Sequence, residues 1–271
     1  MKADTFDHNL GPDKLLLARD RNPPADRDFV IFFTPRSGSS WLTDICERTR
    51  RLSRPDECFN PQFMPEMTRA LGARNMNEYV ELLRRRRNTR GIYGCQLTYH
   101  QLNVTFSSED EFMDYFGRSQ FIWLIRKDIV SQAISLAKMV STSVSHAPSA
   151  SVDDIRKSDL DFAYDRSKIK HWLNHILAAE IKTESLFKKY RLKPLRLSYE
   201  GVTSLGAQGA VNLVAAHVAA DLGEVSDLDT KHRKIGTEVN DHYSDKFRSE
   251  EADFLEQIRQ IRLETVENCE K

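Results

Sequence analysis

Three short apolar runs punctuate an otherwise mixed chain. They are FVIFFT (29–34), QFIWLIR (120–126) and PLRLSYE (194–200), and the first has no charged or amide position along it. Continuous apolar character over such a length predicts a strand buried on both faces. IYGCQLTY (92–99) alternates more loosely and reads as a further strand. Apolar positions recur at helical spacing over 39–50, 75–88, 107–116, 128–140, 165–190 and 211–223, the last closed by Gly223. Residues 1–28 are polar and hold Pro12, Pro23 and Pro24, which predicts an N-terminal extension ordered only in part. The three prolines of 51–66 predict a loop, and the Ser- and Asp-rich 141–162 predicts a mobile loop or lid. A polar stretch over 226–248 precedes a charged C-terminal helix. Strands alternating with helices predict an α/β fold with a mostly parallel sheet covered on both faces. One domain over 29–271, after the extension 1–28, suits the length.

Composition removes several classes of function. Lys+Arg and Asp+Glu both number 40, so no overall field steers the chain to nucleic acid, and an anion site must be local. No apolar run approaches the length of a membrane span, and the first residues lack the apolar core of a signal peptide. The four cysteines are scattered without a C-x-x-C or a zinc-type spacing, which predicts reduced thiols and a cytoplasmic location.

The local anion site is predicted at the joint after the first strand, TPRSGSSW (34–41). A helix that starts there offers unpaired backbone N–H groups and the positive end of its dipole. Gly38 lets the backbone approach an anion, and Ser37, Ser39 and Ser40 add hydroxyl donors. Arg36 adds a planar fork suited to phosphate or sulfate oxygens. A helix cap alone needs one hydroxyl, not three with a glycine and an arginine. No Gly-Lys pair exists anywhere, so the triphosphate loop G-x-x-x-x-G-K-[ST] is absent, and so is G-x-G-x-x-G.

TPRSGSSWL resembles the 5′-phosphosulfate loop of sulfotransferases, and its Arg in place of Lys resembles the bacterial carbohydrate sulfotransferases of the trehalose sulfotransferase type, related to the Nod-factor and lipopolysaccharide enzymes. RPDECFNP (54–61), GCQLTYHQL (94–102), IRKDIVSQAISLAK (125–138) and PLRLSYEGV (194–202) resemble further family segments in the same order. The resemblance implies a P-loop-like three-layer αβα fold. It implies sulfuryl transfer from 3′-phosphoadenosine 5′-phosphosulfate (PAPS) to a hydroxyl of a carbohydrate or glycolipid, without a metal, in a homodimer. It assigns Arg36, Ser37, Gly38, Ser39, Ser40 and Trp41 to the 5′-phosphosulfate. Arg126 and Ser135 fall to the 3′-phosphate, with Ser131 one turn earlier as a substitute. Glu57 is the implied base, with Asp56 adjacent and His100 and His146 as alternatives near the acceptor. The residue before His146 is Ser145, where the family has Trp, which suggests a different pocket wall. Arg233 and Lys234, in a basic-Gly segment, are further nucleotide candidates or solvated loop charges.

Two other constellations carry less. His171 and His175 have helical metal spacing but no H-E-x-x-H, and their neighbours suit a packed amphipathic helix. RRRR at 84–87 reads as a solvated helix face, or as a contact for an anionic acceptor. The rival functions are a small-molecule kinase on the same cradle and a nucleotide-binding protein without catalysis.

Overall fold

The computed structural model describes residues 5–6, 14–144, 151–225, 227–230 and 237–269. Four strands, β1 (Arg27–Phe33), β2 (Ile92–Leu97), β3 (Gln120–Ile125) and β4 (Leu195–Ser198), form one parallel sheet in the order β2-β1-β3-β4. In the described residues the helices are α1 (Lys14–Arg21), α2 (Ser39–Arg48), α3 (Met64–Leu71), α4 (Met76–Arg86), α5 (Tyr99–Thr105) and α6 (Glu109–Phe116). They continue with α7 (Ile129–Thr142), α8 (Val152–Asp161), α9 (Arg166–Lys189), α10 (Tyr199–His217), α11 (Glu238–Glu250) and α12 (Ala252–Glu267).

The period of two along each strand sorts the core into the layers expected from the apolar runs. Val30, Phe32, Tyr93, Cys95, Leu97, Phe121 and Trp123 pack against α3, α4, α6 and the end of α9. Phe29, Ile31, Phe33, Ile122, Leu124 and Leu197 pack against α2 and α10. A third apolar cluster joins α7 to α9, α11 and α12 beside the sheet. The result is a three-layer α/β fold. The chain leaves β1 to form β2 on one side and returns to form β3 on the other, so the order reverses at β1. The crevice outside the carboxyl ends of β1 and β3 is therefore the favoured ligand position in such a sheet.

Several segments depart from expectation. The extension contains α1, which docks on α4 through Arg19 and Glu81, their side chains paired at 2.8 Å. The prolines of 51–66 hid the start of α3: Pro65 sits in its first turn, where a missing N–H costs nothing. The predicted lid 141–162 contains a helix, α8, started by a capping box of Ser151 and Asp154. Helix α10 begins at Tyr199, because Ser198 caps it by accepting from Gly201 N at 3.0 Å. It kinks at Gly206 and ends at His217, before the expected stop at Gly223. The arginine run is a solvated face in part: Arg86 and Arg87 are exposed, whereas Arg84 pairs with Asp28 and donates to Tyr115 O, and Arg85 pairs with Glu81.

Candidate active site

The turn after β1 is built to leave its backbone open. Arg36 and Gly38 both take the left-handed region, at φ 67° and 89°. Gly38 precedes α2 with no side-chain cap, so the first N–H groups of that helix keep no partner from a capping side chain. A side chain at Gly38 is excluded twice, because its Cβ would lie 2.5 Å from the Tyr199 ring. Gln132 of α7 anchors the turn by donating to Thr34 Oγ1 and Pro35 O, both at 2.8 Å. Ser37 is fully buried, and its hydroxyl has no hydrogen-bond partner. Ser39 is buried, while Ser40 and Trp41 are half-buried at the start of α2.

The second half of the site comes from β3 and the helix after it. Arg36 Nε donates to Ser135 Oγ on α7 at 3.0 Å. Arg126, directly after β3, lies over the Tyr199 ring with its guanidinium carbon 5.3 Å from the centroid. Its Nε is buried without a hydrogen-bond partner, and its nearest acid is Glu200 at 3.9 Å. The Arg36 pKa is pulled down from its ordinary value by burial and then by the like charge of Arg126, with Tyr199 opposing. Two guanidiniums thus face one region of low polarity, a disposition that an anion relieves. Ser131, the substitute for Ser135, is otherwise engaged: its hydroxyl donates to Asp128 at 2.7 Å.

Glu57 stands in the loop between α2 and α3, which runs beside β2 through the Asp56–Cys95 bridge. One carboxylate oxygen, Oε2, accepts from Asn60 Nδ2 at 2.8 Å and from Gln101 Nε2 at 2.7 Å. Gln101 is fixed in turn, because its Oε1 accepts from Thr98 N at 2.8 Å in the capping box of α5. Asp56 differs in kind. It pairs with Arg54 at 2.7 Å and Arg87 at 3.4 Å, and its own carbonyl accepts from Gln96 N. The acid held by neutral amides is therefore Glu57, and the acid neutralised by arginines is Asp56.

The structure brings Arg36, Arg126 and Ser135 together, with Ser37 and Gly38 in the same turn. His100 is exposed on α5, one residue before Gln101. The pKa of His175 is lowered by burial, then by the charges of His100 and His171, which sets these three near one another. His146, Arg233 and Lys234 lie outside the described residues. Among the described residues no group of acids, histidines and cysteines is arranged to hold a metal ion. No helix of the described residues is long and apolar enough to cross a membrane.

Sequence reasoning missed Gln101, Gln132, Tyr199 and Glu200. The signal for the last two was positional: they follow β4 at the same carboxyl edge as Arg36 and Arg126. Glu200 accepts from Lys127 N at 2.8 Å and Asp128 N at 3.1 Å, so its carboxylate sits at the start of α7.

The parallel three-layer sheet, with an open turn after β1 and a second arginine after β3, defines an α/β protein of the P-loop-like class. The family model described as Stf0 sulphotransferase matches residues 28–250, and the chain belongs to that family of transferases. No curated protein matches the chain.

Proposed function

We propose that the protein transfers a sulfuryl group from PAPS to a hydroxyl of a carbohydrate or glycolipid. The convergence of Arg36, Arg126 and Ser135, with a buried Arg126 Nε lacking a hydrogen-bond partner, carries the donor half of this proposal. A donor with phosphates at both 5′ and 3′ positions needs more than one cationic group, and Arg36 and Arg126 provide two. The turn 36–41 supplies one through Arg36, Ser37, Gly38, Ser39, Ser40 and the α2 N-terminus, and Trp41 flanks it. Arg126 and Ser135 supply the other.

The chemistry follows from these groups. The acceptor oxygen attacks sulfur, its new O–S bond forms, and the bond from sulfur to the 5′-phosphate oxygen breaks. Arg36 and the α2 N–H groups stabilise the negative charge that collects on the leaving phosphate. The hydroxyl proton passes to Glu57, whose Oε2 is steadied by two amide donors. Adenosine 3′,5′-bisphosphate and the sulfate ester are the products. The sulfuryl group carries less charge than a phosphoryl group, so arginine and backbone N–H groups suffice without a metal. The exposed His100, beside Gln101, and His146 are the acceptor-side candidates. The four cysteines are buried and none forms a disulfide, which supports a reducing, cytoplasmic setting. A single catalytic unit over 29–271 and a homodimer complete the proposal.

Calorimetry without metal tests it. Adenosine 3′,5′-bisphosphate is expected to bind more tightly than 5′-AMP or ATP, and Arg126→Ala is expected to abolish the difference. A preference for ATP, or binding only with magnesium, overturns the proposal in favour of a kinase.

A further inference from the structure

Arg262 lies on α12, beyond the residues 28–250 matched by the family model. An arginine on a charged helix ordinarily projects into water, yet this one is only 5 % exposed. Its Nε and Nη2 meet the two carboxylate oxygens of Glu180 on α9 at 2.7 and 3.0 Å, a bidentate pair inside the protein. The other ends of its fork are aimed at the turn after β3. Nη1 donates to Lys127 O at 2.9 Å, and Nη2 donates to Arg126 O at 2.6 Å.

The same turn is held from two further directions. Glu200 accepts its N–H groups at Lys127 and Asp128. Arg248 of α11 donates to the Asp128 carboxylate at 2.7 Å. Three residues, 126 to 128, therefore have their carbonyls, their N–H groups and the α7 cap fixed by separate elements. The Arg126 side chain is held more loosely, by the Tyr199 ring 5.3 Å from its guanidinium carbon and by Glu200 at 3.9 Å, while its Nε has no hydrogen-bond partner. Its aim therefore depends in large part on its own backbone, whose carbonyl Arg262 holds.

We infer that Arg262 is a positioning residue for Arg126: α12 locks the turn after β3 so that the Arg126 guanidinium faces the 3′-phosphate of the nucleotide. The inference rests on the donor assignment above and deepens it. Burial of the Glu180–Arg262 pair is poorly explained by stability alone, because desolvation of two charges offsets most of their attraction. The planar fork is the feature that reaches a carboxylate and two carbonyls together, and an ammonium lacks it.

Binding of adenosine 3′,5′-bisphosphate and of adenosine 5′-phosphosulfate, which lacks the 3′-phosphate, is to be measured by calorimetry on wild type and two variants. Arg262→Lys keeps a cation beside Glu180. The double variant Glu180→Leu with Arg262→Met removes both charges, so no buried charge is left to unfold the protein. Each is expected to weaken the bisphosphate roughly tenfold or more while 5′-phosphosulfate binding stays within about twofold, as misplacement of a single clamp predicts. Equal weakening of both ligands, or unchanged binding of both, overturns the inference and leaves the donor assignment standing. A wild type that does not discriminate between the two ligands overturns both.

Discussion

Ser135 on α7 accepts a 3.0 Å hydrogen bond from Arg36 Nε across the gap between β1 and β3. One hydroxyl thus ties the arginine of the first strand's turn to the helix that follows Arg126. Ser135→Ala is expected to raise the dissociation constant for adenosine 3′,5′-bisphosphate by about ten- to a hundredfold, the range for one hydrogen bond to a charged group. Thermal stability is expected to change little. Calorimetry beside a melting curve separates the two, and an unchanged dissociation constant would remove Ser135 from the site.

Glu57→Gln is expected to lower kcat by about 10²- to 10⁴-fold, the usual contribution of a positioned base, and to leave bisphosphate affinity unchanged. Asp56→Asn, whose partners are Arg54 and Arg87, is expected to retain most activity. The pair of variants, assayed for sulfate transfer to a panel of sugars, distinguishes neighbouring carboxylates. Loss of activity in Asp56→Asn alone would exchange their roles.

Gly38→Ala puts a Cβ into the Tyr199 ring and into a left-handed backbone at φ 89°. Strain of about 1–3 kcal/mol is expected from the backbone alone. Truncating Tyr199 in the Gly38→Ala background relieves the contact but not the torsion. Chemical denaturation of the single and double variants is therefore expected to show partial recovery. Full recovery would place the whole cost in the ring contact.

Acid sensitivity should report on the turn after β3. Burial raises the Asp128 pKa, but the Ser131 hydroxyl and N–H, together with Arg248, outweigh it, so the net value lies below the ordinary 3.8. A depressed carboxylate contributes stability that is present above 3.8 and is lost as the pH falls through the folded-state value. Asp128→Asn still caps α7, so this limb should flatten while neutral-pH stability drops by less than about 1 kcal/mol, given the part-exposed Arg248 partner. Denaturation midpoints from pH 7 down to about 3 check the sign.

The thiols are expected to be inert. Burial pushes Cys46 and Cys58 up to about 12, and Cys95 well above its ordinary value. A disulfide reagent at mild alkaline pH should modify these three only as fast as the protein opens. A burst of rapid labelling at any of them would contradict the burial.

The sheet was legible because its strands are covered on both faces, which leaves unbroken apolar runs such as 29–33. The cradle was legible because its chemistry is contiguous in sequence. Helix α5 was not, since Tyr99 and His100 continue the β-prone look of the strand before them, and only the Thr98–Gln101 capping box marks the change. Helix α8 was hidden by Asp153 and Asp154, which read as loop residues yet favour a helix N-terminus. Glu57 was visible only by resemblance: its amide partner Gln101 is 44 residues away. Arg262 left no trace at all, because its burial depends on Glu180, 82 residues earlier.

The pairing of Phe29 with Gln120 along β1 and β3 brings together turns that are far apart in the chain. Parallel pairing across so long a loop must overcome a large closure entropy. A partly folded chain without this pairing holds Arg36 and Arg126 without the pocket between them. A nucleotide that needs both arginines binds the native state alone and raises the unfolding free energy in proportion to the logarithm of its concentration. The site then serves as a test of completed topology: a chain that retains bisphosphate has already threaded its sheet.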